Sequence, residues 1–304
     1  MKRAFTLIEL IFVIVILSII GAISAQIISR LYEDYVVNRT INELETKTEL
    51  ILEQIAKRLQ FRIKEATIAR RLPPNDTNIT SLSTADDDYK ILEWISYDND
   101  SFKGAWNRSK NIITPGWSGF VDLYSTETNS TQIKTPGSDL NITDSIVTAL
   151  SNGSVTLTNG NMGLVFKGLY AGFDIKQYGW NCYDEADPIN CNSRDYVFDI
   201  TGYNNNILQI SPTLDGKEIT EQYYLTWTAY AIVPDLDNSQ LTLYYNYRPW
   251  KGDKYSDGNS TILAKNVSVF KFRQDDQVIR LKLCLYKPIT NDFNISFCKE
   301  KVVY

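Results

Sequence analysis

Residues 1–28 read MKRAFTLIELIFVIVILSIIGAISAQII, and the reading of this stretch decides the fold. Lys2 and Arg3 form a short positive lead, and from Phe5 to Ile28 the only ionisable side chain is Glu9. About 20 apolar residues rising ~1.5 Å each cross a ~30 Å hydrocarbon core, so the run is long enough to span a bilayer as one helix. An acid near the start of such a run costs about 2.5–3.5 kcal/mol at bilayer depth. A plain membrane anchor has no use for that cost. A carboxylate placed so implies a cation supplied from elsewhere.

Lys2-Arg3-Ala4 followed by Phe5-Thr6-Leu7-Ile8-Glu9 resembles the cleavage and methylation signal of type IV prepilins and type II secretion pseudopilins. The resemblance implies that prepilin peptidase cuts between Ala4 and Phe5 on the cytoplasmic side and methylates the new amino terminus at Phe5. It also implies that Glu9 pairs with the N-terminal ammonium of a neighbouring subunit during assembly. That chemistry suits the spacing, since an amine and a carboxylate both stranded in lipid offset each other's desolvation. The family usually has Gly before the cut, and the similarly small Ala4 stands here. Two rival readings exist. A secretory signal peptide with its cut after Ala25 is opposed by Glu9 and by an apolar run longer than ~7–15 residues. A plain anchor explains the length and flanking charge but not Phe5-Thr6-Leu7-Ile8-Glu9 as a set.

A formal charge of −5 over 304 residues excludes a strongly basic binder of nucleic acid or anionic membrane. The chain has no histidine, which removes the commonest general base, metal ligand and pH switch together. The positive lead keeps the N terminus inside, so everything after the inner-membrane anchor is expected outside, in the periplasm. In that oxidising compartment the four cysteines are expected to form disulfides.

The apolar run continues as a helical stripe through Leu31, Tyr35, Ile41, Leu44, Ile51, Ile55, Leu59 and Ile63. Pro73-Pro74 is the first strong stop. The expected organisation is a leader at 1–4, a transmembrane and polymerisation helix at 5–28, an amphipathic continuation at 29–72 and a β-rich domain at 73–304. Acids gather early in the second half (Glu33, Asp34, Glu43, Glu45, Glu49, Glu53) and bases late (Lys57, Arg58, Arg62, Lys64, Arg70, Arg71), a trend that Arg30, Arg39, Lys47 and Glu65 break without erasing. One reading is a solvated face that suits the helix dipole. The other is axial complementarity between staggered subunits. On the second reading, reversing Arg58 and Arg62 impairs assembly but not folding.

Beyond residue 72 helix formers thin out, while Asn, Thr, Ser, Tyr and Gly rise. Residues 73–90 read as a loop and 130–153 as a mobile polar segment. Strands are expected at 90–97, 119–125, 154–158, 163–167, 195–200, 206–211, 222–233, 240–248, 262–273, 278–287 and 293–303. The last three form an antiparallel meander, with Leu281, Leu283 and Leu285 on one face. This block resembles the C-terminal sheet of J-type pseudopilins and larger minor pilins. The fold class is therefore α+β: a long N-terminal helix packed on a C-terminal antiparallel sheet domain.

Four cysteines allow three pairings, of which the local ones, Cys182–Cys191 and Cys284–Cys298, are preferred. Cys284 and Cys298 share a face, and a turn near Asn291 sets them opposite one another. Asp184, Glu185 and Asp187 could hold Ca²⁺, as several pseudopilins do, although a solvated acidic loop is the plainer reading and no cofactor is otherwise expected. Eleven Asn-x-Ser/Thr sequons occur. Five of them, at Asn78, Asn129, Asn141, Asn259 and Asn294, carry an acid two residues earlier, where 36 acids in 304 residues would place about one. The pattern resembles the extended acceptor site of bacterial N-glycosylation, against a plainer reading in which such residues simply crowd in turns. The carboxylate pairs Asp98/Asp100 and Asp275/Asp276 read as turns, and no phosphate loop or nucleophile motif is present.

The expected function is structural rather than enzymatic: a minor subunit of a type IV pilus or a type II secretion pseudopilus. Its partners would be other pilins or pseudopilins, prepilin peptidase, the inner-membrane assembly platform and the membrane, with no nucleic acid. The alternatives are an anchored periplasmic binding or sensory domain, and an adhesin-like domain, secreted if the signal-peptide reading holds. An exposed cluster of Trp106, Trp117 and Trp180 would favour the adhesin.

Overall fold

A single α-helix, α1 (Leu7–Leu59), begins the computed structural model, which describes residues 6–107, 111–168, 174–187, 191, 193–290 and 293–304. Every residue from Thr6 to Tyr35 is exposed. Burial starts at Thr40 and continues at Leu44, Thr48, Ile51, Leu52, Ile55, Ala56 and Leu59, the three- and four-residue steps of one helical face. The helix thus divides into a bare apolar rod and a docked half.

The expected continuation of the helix through residue 72 is corrected. α1 ends at Leu59, and Arg62–Arg71 is a strand, β1. The stripe reached Ile63 because a residue buried in the following strand fell by coincidence at a four-residue step. The segment carries Ile63, Thr67 and Ile68, whose branched side chains suit a pleated surface, and long-range pairing decides its state. The Arg62 guanidinium seals the break. It donates to the carbonyls of Leu59 (2.9 Å), Gln277 (3.3 Å) and Tyr304 (3.1 Å) from a buried position. Reversing charge at Arg62 would therefore damage the fold, contrary to the expectation that it spares folding.

The remaining elements follow in chain order. β2 (Ile79–Ser81) lies inside the expected 73–90 loop, and β3 (Tyr89–Tyr97) leads to the short α2 (Asn99–Lys103). Next come the hairpin of β4 (Ala105–Asn107) and β5 (Ile112–Thr114), then β6 (Gln132–Lys134) and α3 (Leu140–Leu150). β7 (Met162–Phe166), β8 (Phe198–Asn204), β9 (Ile207–Ser211), β10 (Tyr223–Asp235) and β11 (Gln240–Tyr247) follow. β12 (Asn259–Lys265), β13 (Val267–Asp275), β14 (Val278–Pro288) and β15 (Asn294–Val303) close the chain. The expected strand 262–273 is split at Asn266, whose φ of 58° breaks the ladder in a conformation asparagine tolerates.

Two expected strands are absent. Residues 119–125 and 154–158 are irregular segments that still bury Val121, Val155 and Leu157. Conversely, the expected mobile segment 130–153 holds β6 and α3. Leu140, Thr143 and Val147 make a buried stripe at helical spacing, which the polar composition around them obscured.

All strand pairings are antiparallel. A ten-stranded sheet runs in the order β2-β1-β3-β10-β7-β8-β9-β6, with β11 beside β10 and β12 beside β11. The long β10 pairs β3 on one edge and, on the other, β7 with its first half and β11 with its second. A separate sheet, β13-β14-β15, forms the expected meander. The docked half of α1 lies between the two sheets. Ile51, Leu52, Ile55 and Leu59 share a core with Leu92 and Trp94 of β3 and with Leu281, Leu283 and Leu285 of β14. Ile91 and Ile95, alternate residues of β3, enter a second core with Trp180, Tyr247 and Trp250 on the sheet's other face. A third core surrounds α3 and β7–β9.

The candidate assembly segment

The rod begins with a reciprocal cap. Thr6 precedes the first turn, and Glu9 stands three residues on. The Thr6 hydroxyl accepts from the Glu9 backbone N–H (3.4 Å). The Thr6 backbone N–H (3.0 Å) and hydroxyl (2.8 Å) both donate to Oε2 of Glu9. The Thr-x-x-Glu spacing is a capping box, legible in the sequence but missed there because Glu9 was read only toward a neighbour. Both donors come from Thr6, so the cap survives a cut between Ala4 and Phe5. Ala4 and Phe5 themselves lie outside the described residues.

Behind the cap the rod is uninterrupted. Gly21 meets nothing within 4 Å where a Cβ would stand, so its place in the helix is not imposed by packing within the subunit. Ser18, one of three serines in the rod, returns its hydroxyl to the Ile14 carbonyl (2.7 Å). Length and composition suffice to cross a membrane, and none of the most apolar window is covered by the domain. A surface of this kind is stable only against lipid or against other such rods.

Of the acids in this run, Glu33 and Asp34 stand on the exposed rod, and those on the docked half are engaged within the subunit. Lys287 of β14 reaches Glu43 (2.7 Å), and Lys299 and Lys301 of β15 reach Glu49 (2.9 Å) and Glu53 (2.6 Å). Both β15 pairs advance in the same direction as α1, so the strand runs parallel to the helix. Two residues of strand rise ~6.8 Å and four residues of helix rise ~6 Å, which keeps successive pairs in step. Lys287 and Lys47 hold the Glu43 carboxyl down at about 2, and Lys301 holds that of Glu53 below its ordinary value. Glu53 in turn raises Lys301.

The sign of the pH dependence follows. Carboxyls depressed in the folded state stabilise it above their ordinary 4.5, and the contribution fades as pH falls toward about 2. The Lys301 contribution is present below 10.5 and fades above it. The urea midpoint is expected to drop between pH 5 and pH 2.5. A Lys287→Ala/Lys301→Ala variant should lose part of that drop, and an unchanged drop would show that these pairs do not carry it.

The cysteines pair as preferred. Cys182 and Cys191 have Cα atoms 5.4 Å apart, and Cys284 and Cys298, directly opposed on β14 and β15, are 4.0 Å apart. Asp184 is exposed and Asp187 stands near the loop's end; among the described residues no group of three or more His, Cys, Asp or Glu is placed to hold a metal. Asp98 caps α2 from a buried position, and Asp275 pairs with Arg280 (2.7 Å). Burial pushes the Asp98 carboxyl up to about 6. The exposed cluster that would favour an adhesin does not form: of the three tryptophans Trp117 and Trp180 are fully buried and Trp106 is exposed. All five acid-bearing sequon asparagines are exposed.

A family model described as the prokaryotic N-terminal methylation motif matches residues 1–25. This bears out the resemblance of the N-terminal segment to type IV prepilins and pseudopilins, and it makes the chain prepilin-like in the segment that prepilin peptidase would process. No curated protein and no solved structure matches the chain.

Proposed function

We propose that the chain is a structural subunit, a minor pilin or pseudopilin, of a type IV pilus or type II secretion filament. The supporting observation is the exposed apolar rod from Thr6 to Tyr35, headed by the methylation motif and bearing Glu9 as its one carboxylate before Arg30. Cleavage before Phe5 and its methylation create an ammonium. Glu9 of the next subunit receives that charge, exchanging its hydrogen bonds from Thr6 for an ion pair in lipid-like surroundings. The subunit is inserted from the inner membrane, with the β-rich domain on the periplasmic side, and the assembly platform and other pilins are its partners. A domain of this size crowds a dense filament, which favours a rare position, such as the tip, over a major repeating one.

The competing reading is an anchored sensory or binding domain. It needs the rod only as an anchor and gives Glu9 nothing to do. N-terminal mass spectrometry on protein from the native membrane separates the two. A chain starting at N-methylated Phe5 is expected. An intact Met1 or Lys2 start would sink the filament reading, and a start near Gln26 would mean a secreted domain.

A further inference from the structure

The five acid-bearing sequons share a sequence pattern but not a conformation, and the difference singles out one. An N-linked modification needs the asparagine amide nitrogen and the hydroxyl two residues on to be reachable together, on backbone that is not locked in a ladder. Asn141 lies in the first turn of α3, and its partner Thr143 is fully buried. Asn78 follows an acid that is out of reach, since Asp76 is buried and ion-paired with Lys254. Asn259 and Asn294 are ladder residues, opposed to Tyr245 and Pro288.

Asn129 differs. It is exposed, in the turn that leads into β6, with Thr131 also exposed; its backbone makes only an isolated bridge, its N–H donating to the Gln132 carbonyl (2.9 Å), and it belongs to no strand. Thr131 donates to Oδ1 of Asn129 through both its backbone N–H (2.9 Å) and its hydroxyl (3.0 Å). Both bonds fall on the oxygen and leave the carboxamide nitrogen without a hydrogen bond among the described residues. The loop is held from behind: the Thr128 hydroxyl donates to the Asp122 carbonyl (2.7 Å), and Gln132 Nε2 donates to the Glu127 carbonyl (2.8 Å). Glu127, the acid of the sequon, stays at the surface, paired with Lys134.

The geometry points to Asn129 as an N-glycosylation site, the acceptor for an oligosaccharide carried on a lipid pyrophosphate. The amide nitrogen of Asn129 forms a bond to C1 of the first sugar. The C1–O bond to the pyrophosphate breaks, the lipid pyrophosphate leaves with its electron pair, and one amide proton passes to a base of the transferase. Nothing is oxidised or reduced. The inference rests on the export of the domain assumed under the filament reading and goes beyond it.

The test is a tryptic digest of protein purified from its own host. Peptide 111–134 contains Asn129 and no other sequon, and peptide 135–167 contains Asn141 and Asn152. Peptide 111–134 is expected to carry added hexose-type mass, and Asn141 is expected to carry none. Thr131→Ala should return the peptide to its unmodified mass, and Thr131→Ser should keep the sugar. Native 111–134 found only unmodified, or still modified in Thr131→Ala, would overturn the assignment. The N-terminal peptide of the same digest reports processing independently. A processed start with bare 111–134 defeats the glycosylation alone, and modified 111–134 on an unprocessed start defeats the filament reading alone.

Discussion

Glu93→Ala is expected to destabilise the domain by about 3–5 kcal/mol, because it leaves a buried guanidinium without its counter-charge. Arg70 and Glu93 face each other across β1 and β3 with almost no solvent contact, Nε to Oε1 at 3.0 Å and Nη2 to Oε2 at 3.2 Å. The same guanidinium donates to the Asp76 carbonyl (2.6 Å), the Trp180 carbonyl (2.8 Å), Asn181 Oδ1 (3.0 Å) and the Tyr183 hydroxyl (3.2 Å). It therefore pins the Cys182 loop and the turn after β1 to the sheet. Arg70→Met/Glu93→Leu should recover part of the Glu93→Ala loss, since no charge is then left buried, although the loop carbonyls lose their donor. Urea unfolding of the full chain in detergent measures all three variants. A Glu93→Ala cost under about 1 kcal/mol would mean that water reaches the site and solvates Arg70.

Glu9→Leu is expected to separate two properties that usually move together. Membrane insertion should become easier, by about 2.5–3.5 kcal/mol if the side chain sits at bilayer depth. Incorporation into filaments should be lost, because the neighbour's ammonium then has no partner in lipid. Membrane fractionation reads the first and the subunit content of sheared filaments reads the second. Thr6→Ala provides the contrast: it removes one donor to Glu9 and the acceptor for the Glu9 N–H, so it frays the helix start by ~1 kcal/mol without touching the charge. Undiminished filament content in Glu9→Leu would leave the rod as an anchor only.

Much of the architecture was legible because its signals are local. The apolar run, the alternating Leu281-Leu283-Leu285 face and the opposed Cys284 and Cys298 each declare themselves within a few residues. The end of α1 did not, because Ile63 satisfies a helical stripe and a buried strand equally, and only pairing with β3 decides between them. α3 was hidden by composition: three buried residues in eleven are enough to seat a helix among polar neighbours. At the candidate site, Glu9 and the cleavage motif were readable. The lysines that take up the helix acids were not, since they lie more than 240 residues away in the chain. The charge asymmetry that suggested contacts between subunits is, for Glu43, Glu45, Glu49 and Glu53, answered inside one.

The parallel course of β15 and α1 bears on how tension would travel. A pull along the rod reaches the small sheet along the strand axis rather than across it. The cross-strand hydrogen bonds of β15 and β14 are then loaded together in shear instead of opening one by one. The Cys284–Cys298 link, set directly between those strands, stops them sliding past each other. Lys287, Lys299 and Lys301 grip the helix at Glu43, Glu49 and Glu53 and spread the load over about ten residues of its length. The joint between rod and domain is built like a lap splice, strongest against a pull along the rod.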